Sequence, residues 1–155
     1  MWFCSGVERR RIYDIINILE SVSFVGRKCK NTYVWHGDAR LHHVLGELQD
    51  EAIKLWPEDA RDAGLITQLP PATERHRLTA KQKREKSLGR FSQRFIQLFL
   101  VGGSTMWLSD AAEKLMQLGS DEGRTHMKTK IRRLYDIANV LTSVGLLEKV
   151  VTADS

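Results

Sequence analysis

The stretch Arg10-Arg11-Ile12-Tyr13-Asp14-Ile15-Ile16-Asn17-Ile18-Leu19-Glu20-Ser21-Val22 occurs twice in this chain. Its second copy, 122 residues later, is Arg132-Arg133-Leu134-Tyr135-Asp136-Ile137-Ala138-Asn139-Val140-Leu141-Thr142-Ser143-Val144. Nine of thirteen positions are identical, and two more differ only as Ile/Leu or Ile/Val. That spacing is far too long for a stacked repeat array, whose period is roughly 20–50 residues. It fits two related domains in one chain. In the first copy the apolar set is Ile12, Ile15, Ile16, Leu19 and Val22; in the second it is Leu134, Ile137, Ala138, Leu141 and Val144. Both sets advance by 3, 1, 3 and 3, which predicts a helix with one buried stripe. Arg10, Asp14 and Asn17 fall away from the stripe, as do Arg132, Asp136 and Asn139.

An arginine pair that opens a helix works against the macrodipole, at about 0.3–1 kcal/mol per exposed charge. Its occurrence in both copies points to a requirement other than helix stability. A helix that reads the major groove supplies one: its amino-terminal arginines reach base edges, and each can donate two hydrogen bonds to O6 and N7 of guanine. The alternative is an exposed pair that is salt-bridged to the nearby Asp14 or Asp136.

The flanking sequence supports the groove-reading alternative. After the first copy, Phe24-Val25 and Thr32 to His36 are β-prone, and Lys28 to Asn31 is turn-like. This predicts a hairpin, or wing, that brings Arg27, Lys28 and Lys30 near phosphates. Before the second copy, Leu88, Phe91, Phe95, Leu98 and Phe99 predict a helix capped by Ser87 and ended by Gly102-Gly103. A shorter helix capped by Ser109 follows, with Leu108, Ala111, Ala112, Leu115 and Met116 on one side. Gly119 to Gly123 is a loop, and residues 145–151 begin a strand. Three helices followed by a β-wing is the winged-helix order. Lys81, Lys83, Arg84, Lys86, Lys128 and Lys130 are further candidates for phosphate contact, which adds affinity without encoding sequence.

Between the copies, Leu41, Val44, Leu45, Leu48, Ala52 and Leu55 predict an amphipathic helix that Trp56-Pro57 stops. It could pack on the first domain, bind a partner or lie between domains. All three prolines fall in residues 57–80, a polar stretch that reads as linker.

Composition agrees with this division. The 155 residues carry a net charge of +5, with 42% hydrophobic and 28% charged residues. Residues 1–37 and 81–155 are basic, and residues 38–80 are acidic. Basic ends favour a polyanionic partner. No apolar run reaches membrane-span length, and the amino terminus is unlike a signal peptide. Cys4 and Cys29 form no C-x-x-C pair, and the adjacent His42 and His43 are poor joint metal ligands. A phosphate-binding glycine loop, H-E-x-x-H and G-x-S-x-G are all missing from the sequence. No catalytic residue, metal, cofactor, small-molecule substrate or membrane is therefore expected.

The doubled Arg-Arg-x-Tyr-Asp-Ile resembles the signature of the E2 factor (E-two-F) and DP family of cell-cycle transcription factors, and two copies in one chain resemble its atypical, tandem-domain members. Tyr33-Val34-Trp35-His36-Gly37 is similar to the end of a first wing in that subfamily. Lys86-Ser87-Leu88 and Lys128-Thr129-Lys130-Ile131 are similar to the opening of its second domain and the approach to its second reading helix. The resemblance implies winged-helix domains that pair within one chain, without a DP partner. It implies nuclear repression at GC-rich promoter sites of the TTTSSCGC type. By the same resemblance Arg10, Arg11, Arg132 and Arg133 read guanines. Tyr13 and Tyr135 support the contact surface, and Asp14 and Asp136 orient arginines.

The expected fold is mainly α with small β wings: two winged-helix domains, the first lacking its first two helices. The expected division is a first domain at 1–37, an amphipathic helix and linker at 38–80, and a second domain with an incomplete wing at 81–155. Nine residues before Arg10 leave no room for two helices, so a truncated first domain is expected, with its stripe short of cover. An alternative follows: an interaction module that forms a homodimer or family heterodimer through that stripe and titrates full-length members.

Overall fold

The computed structural model describes residues 6–69, 88–118 and 127–150. In chain order its elements are α1 (Gly6–Ser21), β1 (Val25–Cys29), β2 (Thr32–Trp35), α2 (Leu41–Leu55), α3 (Pro57–Asp62), α4 (Leu88–Gly102), α5 (Leu108–Leu118) and α6 (Met127–Ser143). The described residues are mainly helical, with one small antiparallel hairpin among them, as expected for winged-helix architecture.

Both copies of the repeat are helical and end alike. Ser23 and Gly145, 122 residues apart, both take positive φ, at 59° and 84°. Phe24 N–H donates to the Leu19 carbonyl at 3.0 Å, and Leu146 N–H donates to the Leu141 carbonyl at 2.9 Å. Each is the six-to-one bond that satisfies carbonyls orphaned at a helix end. The first copy then enters its hairpin, where Val25 pairs with Trp35 and Arg27 with Tyr33. Asn31 turns the tip at φ 58°, a conformation that asparagine tolerates. The His36 ring packs over Gly26: a Cβ there would fall 2.4 Å from His36 Nε2, so the ring would have to shift.

One apolar cluster runs through both copies. It joins Ile18, Leu19, Val22, Phe24 and Val25 to Phe95, Leu98, Ala111, Leu115, Leu134, Ile137 and Leu141. The helix α4 lies at its centre and packs against α1, α2, α3, α5 and α6. Accordingly α4 is buried on more than one face: Ser92, Arg94 and Gln97 are buried along with Phe95 and Leu98.

The second copy buries Leu134, Ile137 and Leu141 of its expected stripe fully, with Ala138 and Val144 half-buried. The first copy departs from its expected stripe. Leu19 and Val22 are buried, but Ile12 and Ile15 remain 44% and 43% exposed, and Ile18 is fully buried instead. The cause is α4, which crosses the carboxy-terminal half of α1. Gly89 of α4 lies against the Asn17 carbonyl and Ser21, and Gln93 Nε2 donates to the Ser21 carbonyl at 3.0 Å.

Between the copies, α2 spans the predicted residues and packs on α4. The Arg94 guanidinium donates to Glu51 Oε1 at 2.9 Å and to Gln97 Oε1 at 2.8 Å. Gln97 Nε2 donates to Glu51 Oε2 and to the Leu48 carbonyl, both at 3.1 Å. Burial alone would raise the Glu51 carboxyl, but the hydrogen bond and charge of Arg94, with Gln97 and Arg90, hold it below its ordinary value.

Three local expectations need correction. Residues 57–62 are helix rather than linker, because Pro57 at the first helical position starts α3. Ser109 does not precede α5 as its cap. It lies inside a helix that begins at Leu108, and Ala111 N–H donates to the Trp107 carbonyl at 3.0 Å. Residues 147–150 form no strand, since no described segment pairs with them. Ser87, the 119–123 loop and the rest of the 38–80 linker beyond residue 69 lie outside the described residues.

Candidate nucleic-acid interface

The arginine pairs sit one turn deeper than the sequence suggested. The helix α1 begins at Gly6 and α6 begins at Met127, so neither pair occupies a first turn. The macrodipole opposes them less for that reason, since its effect is confined to the first turn. Arg10, Arg11, Arg132 and Arg133 are all exposed. Tyr13 and Tyr135 are exposed to almost the same extent, 52% and 53%, so both helices present the arginine pair and the tyrosine to solvent.

The two polar fronts adjoin. Arg133 Nη1 lies 3.4 Å from Asp14 Oδ2, across the two copies. The salt bridge considered as the alternative is therefore present for Arg133, but with the aspartate of the other helix rather than its own. Asp136 is exposed, and among the described residues no ion pair joins it to Arg132, Arg133 or Arg11.

Arg27, Lys28 and Lys30 are exposed along β1 and the hairpin tip. Lys128 is exposed and Lys130 half-buried in the first turn of α6. Lys81, Lys83, Arg84 and Lys86 lie outside the described residues. Among the described residues no cluster of His, Cys, Asp and Glu could hold a metal ion, and no helix is long and apolar enough to cross a membrane. A cleft of about 310 Å³ lies between the end of α1, α2 and α4, lined by Glu20, Ser21, Glu47, Glu51, Arg90 and Gln93 among others. It sits at the opposite end of α1 from the arginines.

Sequence reasoning missed the set of buried Arg94 and Gln97 with half-buried Glu51, which joins α2 to α4. Their signal was faint: charged and amide residues at helical spacing look like a solvated face.

Comparison with known proteins agrees with this geometry. The model of the E2 factor/DP family winged-helix DNA-binding domain matches residues 6–37 and 84–153. Transcription factor E2F7 of Danio rerio is 46% identical over 153 residues, covering 95% of this chain and 21% of that protein. The transcription factor-like protein E2FE of Arabidopsis thaliana is 40% identical over 97% of this chain and 43% of its own length. Transcription factor E2F8 of Xenopus tropicalis is 38% identical over 94% of this chain and 24% of its own length. The chain thus spans less than half the length of each of these relatives. With the doubled arginine signature on two adjoining helices, the chain belongs to the E2 factor/DP family of winged-helix, DNA-binding transcription factors, a non-enzymatic class.

Proposed function

We propose that this chain recognises double-stranded DNA at GC-rich promoter sites of the TTTSSCGC type, and that it does so without a DP partner. In this reading Arg10, Arg11, Arg132 and Arg133 contact guanines. Arg27, Lys28, Lys30, Lys128 and Lys130 hold phosphates, with Lys81, Lys83, Arg84 and Lys86 extending that set. Tyr13, Asp14, Tyr135 and Asp136 support the contact surface. The biological outcome is repression of cell-cycle genes in the nucleus. The segments 1–37 and 81–155 act as the two readers, and 38–80 connects them.

One observation carries the reading. Two exposed Arg-Arg helices meet closely enough for Arg133 of one to pair with Asp14 of the other. Adjoining fronts of like composition suit neighbouring halves of one site. Both copies reside in one chain and share α4, which supports independence from a second subunit.

The test is binding of this chain to GC-core and scrambled duplexes at two salt concentrations. Specific recognition gives a large GC-core preference and a steep loss of affinity with salt, as phosphate contacts release counterions. Equal binding to both duplexes would defeat the proposal.

The exposure of Ile12 and Ile15 favours a second reading, in which this face pairs with another copy or a family member. Association that persists at high salt and depends on chain concentration would support it, because apolar burial is insensitive to screening.

A further inference from the structure

We infer that Asp14 of the first copy is a positioning residue for Arg133 of the second, so that the two reading helices act as one coupled reader. This rests on the DNA-binding reading above and adds to it a direction of support between the copies.

The repeat places a carboxylate three and four residues after its arginines in both helices, the spacing at which helical side chains are neighbours. Local pairing is therefore the default, and the structure does not adopt it. Asp14 accepts from Arg133 across 119 residues of sequence, while no ion pair joins Asp14 to Arg10 or Arg11 among the described residues. The reciprocal pair, Arg11 with Asp136, is also not formed among them, so the support runs one way. Asp14 is the less exposed partner, with its side chain 29% exposed against 44% for Arg133. Aspartate also has fewer rotatable bonds than arginine, so the carboxylate is the less mobile end and the guanidinium gains more order from the pair.

A guanidinium has five N–H donors in a planar fork. Asp14 engages one terminal nitrogen, which leaves Nε and Nη2 free for a base edge. A free arginine gives up considerable rotameric freedom on docking to a base pair, and one already held gives up less. Asp14 thus promotes base reading by restricting Arg133 beforehand.

The sign of the effect separates this role from simple electrostatics. Asp14 carries negative charge toward a polyanion, so Coulomb repulsion alone makes its removal strengthen DNA binding. A positioning role makes its removal weaken binding, and only where Arg133 reads.

The experiment measures fluorescence anisotropy of GC-core duplexes with this chain, its Asp14→Asn and Arg133→Ala variants, and the double variant. A scrambled duplex and a series with each G·C pair replaced in turn complete the set. Asp14→Asn is expected to weaken GC-core binding about 3–5-fold, the scale of one partly exposed ion pair. Scrambled binding should be unchanged or tighter, and a thermal midpoint close to wild type shows that the variant folds. Discrimination should fall at the same base pair that Arg133→Ala relaxes, and the double variant should bind no more weakly than Arg133→Ala alone. GC-core binding by Asp14→Asn at or above wild-type strength overturns the inference, as do independent, multiplying losses or an equal loss on scrambled DNA. A wild-type chain with no GC preference overturns the DNA-binding reading itself, a result distinct from these.

Discussion

Removing the Glu51 carboxylate should loosen α2 from α4, and the size of the effect follows from its partners. Glu51 accepts from Arg94 at 2.9 Å and from Gln97 at 3.1 Å, with Arg90 at 3.8 Å. The Arg94 side chain is only 8% exposed, so Glu51→Ala leaves a buried guanidinium with Gln97 Oε1 as its remaining described acceptor. Breaking a fully buried pair costs about 3–5 kcal/mol, and one charged hydrogen bond is worth about 1.5–3 kcal/mol. The Glu51 side chain keeps 27% exposure, so water replaces part of what is lost, and about 2–3 kcal/mol is expected. Glu51→Gln should cost about 1–2 kcal/mol, since its amide oxygen can serve Arg94 while its NH2 group faces the Gln97 donor. Urea denaturation at pH 7 reads both as a lower midpoint at unchanged slope. The wild-type chain should also be acid-sensitive in a defined direction. Because the folded Glu51 pKa is depressed, its stabilisation is complete above the ordinary value of 4.5 and is lost as pH falls through the depressed one. Wild type should therefore lose stability below about pH 4.5 more steeply than Glu51→Gln. A Glu51→Ala midpoint equivalent to less than about 0.5 kcal/mol, or parallel acid profiles, would refute the reasoning.

Other outcomes follow from the same geometry. Arg132→Ala should cost about 1–3 kcal/mol on a GC-core duplex and relax preference at one base pair, measured by competition binding. Lys28→Ala, at an exposed wing position, should weaken GC-core and scrambled duplexes alike and lower the slope of log affinity against log salt by about 1. Ile18→Ala removes a fully buried side chain and should cost about 2–5 kcal/mol, whereas Ile12→Ala, at 44% exposure, should cost less than about 1 kcal/mol. Thermal denaturation of the two variants side by side checks the contrast.

Much of this architecture was legible in short-range pattern. The stripe Leu134, Ile137, Leu141 is buried as its spacing requires, because α4 and α5 of the same copy cover it. The ends of α2 were legible for a local reason, since Trp56-Pro57 interrupts the helix through proline chemistry. Ile18 was illegible because α4, the helix that crosses α1 there, comes from more than 70 residues away in sequence. Periodicity reports how a helix is patterned, not the direction from which a distant partner arrives. Arg94 and Gln97 misled in the opposite sense. Their polar heads are satisfied by Glu51 and the Leu48 carbonyl, so they tolerate burial that their chemistry alone argues against. At the interface, the exposure of the arginines was foreseeable, but the cross-copy bond to Asp14 was not, since it depends on how two helices lie relative to each other.

The position of α4 has a consequence for how this molecule comes apart. By sequence it is the property of the second copy, yet it packs against α1 and shares one apolar cluster with Ile18 and Val22 of the first copy. If α4 opens, α1 loses its footing at the same instant, and neither copy can melt in private. Amide hydrogen exchange should accordingly show Ile15 to Leu19 opening in step with Phe95 to Val101, at one shared free energy, as a single cooperative unit.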